Sequence, residues 1–141
     1  MSKEQDTQIV MLNGSVKATL GPSKIHGIGV FAIRDIKKNE RVYCDQLPKL
    51  FKLPYSQLNK LFPEIREIII GRWPSIINGS KFISPDARLI SFMNHSDTPN
   101  YFQVSDTARC DIKKGEEITE NYQLMPNWQK IYPWLVKEDK V

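Results

Sequence analysis

Three short segments hold the residue types that could do chemistry. The first is Lys24-Ile25-His26-Gly27-Ile28-Gly29, the second Phe92-Met93-Asn94-His95-Ser96-Asp97-Thr98-Pro99-Asn100, and the third Gly115-Glu116-Glu117-Ile118-Thr119-Glu120-Asn121-Tyr122. Glycines at 27 and 29 let the backbone approach a ligand closely and take positive φ. No strand, GxGxxG and helix arrangement surrounds them, so the dinucleotide fingerprint is excluded. Asn94 offers two donors and an acceptor, and His95 adds ring and backbone groups. The only other histidine is His26. With no acidic pair at ligand spacing beside either one, no metal site is expected. Glu116 and Glu117 suggest the paired carboxylates of a glycoside hydrolase. Neighbours on a strand point to opposite faces, so these two would not converge on one substrate. Taken singly, the segments read as a tight turn, a polar turn and a hairpin ending in a tyrosine.

The elements that must position them are short. Ile9-Val10-Met11-Leu12 reads as a strand closed by Asn13-Gly14, a strong hairpin signal, after a polar and frayed 1–7. Val16, Ala18 and Leu20 alternate with polar residues as a half-buried strand would. Val30 to Ile33 and Arg41 to Cys44 read as further strands. Ser56 and Pro63 open two helical pieces with Leu58, Leu61, Phe62, Ile65, Ile68 and Ile69 as apolar faces and Gly71 as a C-terminal cap. Tyr101 to Val104 and Thr107 to Ile112 read as strands joined at Ser105-Asp106. Asp35-Ile36-Lys37-Lys38-Asn39-Glu40-Arg41-Val42 is echoed by Asp111-Ile112-Lys113-Lys114-Gly115-Glu116-Glu117-Ile118, and Asn39 and Gly115 suit a left-handed turn position. The division expected is a single domain over 1–141. It has N-terminal strands at about 8–54, a helical insert at 55–72, a C-terminal core at 73–122 and an aromatic tail at 123–141.

Bulk properties narrow the partners. With 141 residues, 40% hydrophobic and 26% charged, the chain can build a core without staples. The net charge of +4 is too small to argue nucleic-acid binding, and no basic and aromatic stripe supports it. Cys44 and Cys110 form no CxxC pair, and a disulfide between them is not required. No apolar run is long enough for a membrane span. No secretory core is evident, so a cytoplasmic setting is expected, or a nuclear one for a viral or eukaryotic source.

The order of the three segments is more specific than any of them. Gly-x-Gly-Val-Phe-Ala, then Phe-x-Asn-His-Ser-x-x-Pro-Asn, then Asp-Ile-x-x-Gly-Glu-Glu-Ile-Thr-x-x-Tyr resembles the SET-domain family across about 21–122. Its compact size is similar to that of minimal viral and bacterial members. The resemblance implies a mainly β protein with a short helical insert, a β-clip fold with a C-terminal pseudoknot in which the Asn94–Ser96 and Tyr122 segments cross. It implies an S-adenosylmethionine-dependent protein-lysine N-methyltransferase, with a lysine-bearing protein, a histone or another basic protein, as substrate. A non-catalytic SET-like binding module is the alternative.

By the same resemblance, His26, Gly27, Ile28 and Gly29 line the methionine part of the cofactor, and Asn94 and His95 hold its amino and adenine ends. Tyr122 borders the transferred methyl and is the main catalytic candidate, with Tyr43 as a channel candidate. A tyrosine suits that place because the acceptor must be neutral. A lysine ammonium has a pKa of about 10.4, so presenting the free amine at pH 7 costs roughly 4.6 kcal/mol. A hydroxyl orients the methyl and the amine without adding charge. Gln103 stands where many members carry another channel tyrosine. The zinc-binding cysteine cluster of many relatives is absent. Trp128, Tyr132 and Trp134 are the residues that could close the site instead, Trp128 being nearest in sequence to Tyr122. With no additional docking module, substrate contacts would come from the core surface or a homodimer partner.

Overall fold

The computed structural model describes residues 2–42, 50–85 and 89–136. Four strands form the sheet that carries the site. Strands β1 (Ala18–Pro22), β2 (Ile28–Ala32), β5 (Asn94–His95) and β8 (Glu117–Glu120) lie in the order β1-β2-β8-β5. β1 pairs antiparallel with β2, and β2 with β8. β5 pairs in parallel with β8, setting Asn94 beside Thr119 and His95 beside Glu120. Two-stranded ribbons β3 (Leu50–Phe51) with β4 (Phe82–Ile83), and β6 (Tyr101–Phe102) with β7 (Thr107–Ala108), complete the β structure.

Residues 9–12 are helical, not extended. Helix α1 spans Lys3–Ser15 and is capped by Ser2, whose hydroxyl accepts from the Gln5 amide. The spacing explains the difference. Ile9, Leu12 and Val16 are buried while Val10 stays exposed, a one-sided pattern that only a helix produces. Asn13 is not a hairpin corner. Its Oδ1 accepts from the Phe62 amide at 2.8 Å and its Nδ2 donates to the Lys60 carbonyl at 3.2 Å, joining α1 to the helical insert. The polar start of the chain is part of that helix.

The insert forms as its apolar spacing requires. A 3₁₀ turn at Tyr55–Lys60 leads into α2 (Pro63–Arg72), with Pro63 in its first turn. Gly71 lies inside α2, and the left-handed stop falls later, at Gly79 with φ 81°. Leu58, Leu61, Ile65 and Ile69 pack with Ile9, Leu12, Phe51 and Phe82 in one core cluster. A second cluster, beneath the sheet, joins Val30, Ile36, Met93, Tyr101, Ile112 and Ile118.

The internal echo is a structural one. The two copies embrace each other, with Ile36 and Ile112 exchanging reciprocal amide-to-carbonyl bonds of 2.7 Å. Asp111 accepts from the Lys38 amide, and Asp35 from the Lys114 amide. The turn residues donate across the pair, Asn39 to the Ala108 carbonyl and Gly115 to the Ala32 carbonyl. Both take positive φ, 70° and 90°. This paired hairpin sets the register of β2 against β8, and so places Glu117, Glu120 and Tyr122.

Candidate functional site

The loop between β1 and β2 is held from beneath by one buried side chain. Asn94 is 7% exposed, and its Nδ2 faces four acceptors. They are Ser23 Oγ at 3.0 Å, the His26 carbonyl at 3.0 Å, the Ile28 carbonyl at 3.1 Å and Glu117 Oε2 at 3.0 Å. Ser23 Oγ donates to the Glu117 carboxylate and receives the amides of Ile25 and His26. Gly27 turns the loop with φ 46°. Gly29 is required for a different reason. A Cβ there would lie 2.5 Å from Glu117 Oε2, so the missing side chain is the space that the carboxylate fills. Glu116 is exposed and Glu117 half-buried, as opposite strand faces demand.

His95 is locked as one tautomer. Its Nδ1 accepts from the Tyr122 amide at 3.1 Å, so its Nε2 carries the hydrogen directed at Asp97 Oδ1, 3.0 Å away. Both ring nitrogens are thereby engaged, and only the ring face and backbone remain for a ligand. Asn100 copies a strand partner for β8. Its Nδ2 donates to the Glu117 carbonyl and its Oδ1 accepts from the Thr119 amide, both at 2.8 Å.

Tyr122 follows β8 and donates its hydroxyl hydrogen to the Met93 carbonyl. Burial, with the nearby Glu120, Tyr132 and Glu117, pushes its pKa up to about 12. It therefore stays a neutral donor at physiological pH. Its ring stacks on Tyr132 with centroids 4.5 Å apart, and Trp134 meets both rings edge-on at 6.3 and 6.1 Å.

Two cavities adjoin Tyr122 and Tyr132. One, of about 540 Å³, is lined by Ile25, His26, Asn94, His95 and Trp134 together with the two tyrosines. The other, of about 400 Å³, is lined by Ile90, Ser91, Met93, Gln103, Glu120, Leu124 and Met125 together with the same pair. Thus His26, Asn94, His95 and Tyr122 come together around the first. Gly27, Ile28 and Gly29 form the braced loop beside it. Trp128 is half-buried at the start of α3 (Trp128–Ile131) and lines neither cavity, while Tyr132 and Trp134 of the same tail do. Tyr43 and Cys44 lie outside the described residues.

Sequence reasoning missed Ser23, Ile25 and Glu120. Glu120 is 9% exposed, and its burial raises its carboxyl pKa to about 7. The folded state then binds this proton more tightly than the unfolded chain does. Stability contributed by Glu120 is fully present below about pH 4.5 and is lost as pH rises toward about 7. Glu120→Gln should remove that dependence. Discounted for screening on the cavity side, the mutant should gain on the order of 1–2 kcal/mol over wild type at pH 8 and little at pH 4.5. Denaturant unfolding at the two pH values checks it, and an equal difference at both would contradict it.

The SET domain family model matches residues 27–123. A candidate histone methyltransferase from Plasmodium falciparum is 25% identical over 76% of this chain and 93% of its own, with a TM-score of 0.39. Chaetomium thermophilum Polycomb Repressive Complex 2 in an autoinhibited conformation bound to S-adenosylmethionine is 21% identical. That match covers 86% of this chain and 17% of the other, with a TM-score of 0.43. The same complex bound to the inhibitor GSK126 is 23% identical, over 86% of this chain and 18% of the other, with a TM-score of 0.42. No curated protein sequence matches the chain.

Proposed function

The chain belongs to the SET-domain family, and from that premise we propose that it transfers a methyl group from S-adenosylmethionine to the side-chain amine of a lysine in a protein. The observation that carries this reading is the pair of cavities with Tyr122 and Tyr132 in both walls. A two-substrate displacement needs two binding sites that meet at one point, with the reacting atoms aligned there.

The first cavity is the cofactor side of this reading. Its size lies in the range of small-molecule sites. Among the described residues, Asn94 Oδ1 has no protein partner beside it, which suits an amino group. The exposed Trp134 and the ring of His95 offer flat faces to an aromatic base. Tyr132 and Trp134 take the closing role, which sequence proximity had favoured for Trp128. The cofactor supplies an electrophilic methyl on a sulfonium. The protein's part is orientation: the loop at 26–29 shapes one wall, and Tyr122 presents a neutral hydroxyl between the cavities. The parallel pairing of Asn94 and His95 with Thr119 and Glu120 supports the threaded crossing that the family resemblance implies.

Incubation with isotope-labelled S-adenosylmethionine and mixed protein extracts, followed by mass spectrometry, tests the reading. Label on lysine side chains of one or a few proteins is expected. Cofactor binding without transfer across a broad panel would replace it with a non-catalytic binding module. Salt-sensitive DNA binding without cofactor binding would replace it with a nucleic-acid-binding domain.

A further inference from the structure

Among the described residues, two acceptor groups on the wall of the second cavity receive no hydrogen bond from the protein. Glu120 is 9% exposed, and among the described residues no hydrogen bond or ion pair reaches its carboxylate. Gln103 is fixed by its Nε2, which donates to the Asn121 carbonyl at 2.7 Å. That bond leaves Gln103 Oε1 buried and without a partner. Both side chains line the same space of about 400 Å³, whose other walls include the apolar Met93, Leu124 and Met125. Unsatisfied buried acceptors are costly and uncommon. A carboxylate beside a second acceptor selects a ligand with positive charge and several N–H donors. A primary ammonium has three donors and no acceptor. A carboxylate or phosphate ligand would meet like charge at Glu120, with only the neutral hydroxyls of Ser91 and the tyrosines as donors on the wall.

We infer that Glu120 and Gln103 receive the primary ammonium of the substrate in this cavity, and that the Glu120 carboxylate takes one of its protons. One N–H bond breaks and one O–H bond forms on Glu120, while the electron pair stays on nitrogen. The proton leaves later from Glu120 to solvent. A poorly solvated site favours the exchange, because two opposite charges become two neutral groups. The result is a free amine with its lone pair available and two N–H groups facing Glu120 and Gln103. The other titratable groups around Glu120 are Tyr122 and Tyr132 on the cavity wall, His95 opposite on β5, and Glu117 earlier on β8. Tyr122 is held protonated, and the ring nitrogens of His95 are both engaged. Glu120 is thus the group placed to take the proton. The acceptor role rests on the methyl-transfer reading, but the ammonium site itself does not.

The test uses n-butylamine hydrochloride, which copies the lysine side chain, with n-butanol as the uncharged control. The full chain, carrying ¹³C-labelled glutamate carboxyls, is titrated with each by NMR. Butylammonium is expected to shift the Glu120 carboxyl resonance and butanol to leave it unchanged. Glu120→Gln should weaken butylammonium binding at least about tenfold, Glu120→Asp should retain part of it, and exposed Glu116→Gln should match wild type. Equal butylammonium binding by wild type and Glu120→Gln, with an unmoved resonance, overturns the inference. Should lysine methylation still occur in that case, the methyl-transfer reading stands alone. Glu120-dependent amine binding without methyl transfer to any protein would sink that reading and leave the ammonium site in place.

Discussion

Tyr122→Phe is expected to lower methyl transfer to lysine by about 100-fold or more, with binding of the cofactor close to wild type. The ring should stay where it is. It is held by stacking on Tyr132 at 4.5 Å and by edge contacts with Trp134, and neither depends on the hydroxyl. Its backbone amide still donates to His95 Nδ1. What disappears is a hydroxyl beside both cavities, together with its bond to the Met93 carbonyl. That bond is worth about 0.5–1.5 kcal/mol of stability, too little to unfold a domain. The loss should therefore appear in kcat, because orientation of the methyl and the amine matters most in the transition state. Single-turnover transfer and calorimetric titration with S-adenosylhomocysteine separate the two quantities. Wild-type turnover in the mutant would remove Tyr122 from the mechanism. A parallel collapse of cofactor affinity would make it a binding residue instead.

Much of this arrangement was legible in the sequence, for identifiable reasons. Asn39 and Gly115 announce left-handed turns because few residue types tolerate that backbone, and both have positive φ. The insert was readable from Pro63 and the spacing of Ile65 and Ile69, a helical signal strong enough to survive without context. The first segment was not. Four apolar residues in a row, Ile9 to Leu12, are ambiguous between strand and helix, and the Asn-Gly pair after them favoured the wrong choice. The deciding contact, Asn13 with the chain around Lys60 and Phe62, is tertiary and leaves no local trace. The site divides similarly. Asn94, His95 and Tyr122 were visible through the order of their segments. Ser23 was hidden because a serine after Gly-Pro looks like any turn residue. Glu120 was hidden because a strand residue's burial depends on what lies over it. Here the tail residues Leu124, Met125 and Tyr132 share the wall of its cavity. In the tail, proximity along the chain favoured Trp128, while the fold brings round Tyr132 and Trp134.

Asn94→Ala should be the most damaging single change to the site's architecture. The wild-type amide serves four acceptors with two hydrogens, and one of those acceptors is a carboxylate oxygen. Removing it leaves the carbonyls of His26 and Ile28 without that donor and Glu117 supported chiefly by Ser23. Losses of this kind cost about 1–3 kcal/mol for each stranded group, and here they are coupled, so a total of about 2–4 kcal/mol is expected. For a domain of this size that corresponds to a fall in Tm of roughly 5–15 °C. Cofactor affinity should fall at least about tenfold, because the loop at 26–29 loses its brace and the cavity loses the Asn94 oxygen. Two further variants isolate the cause. Asn94→Asp keeps the shape but sets a second carboxylate where the amide met Glu117 Oε2 at 3.0 Å, so like charges oppose each other. It should be as unstable as Asn94→Ala at neutral pH and recover as the pH falls through the carboxylate range. Ser23→Ala removes one partner of Glu117 and leaves Asn94 in place, so its cost should be the smallest of the three. Thermal unfolding across pH and titration with S-adenosylhomocysteine measure the whole series. A loss under about 0.5 kcal/mol in Asn94→Ala would mean that the loop stands without its amide, and that the order of the three segments reflects something other than this brace.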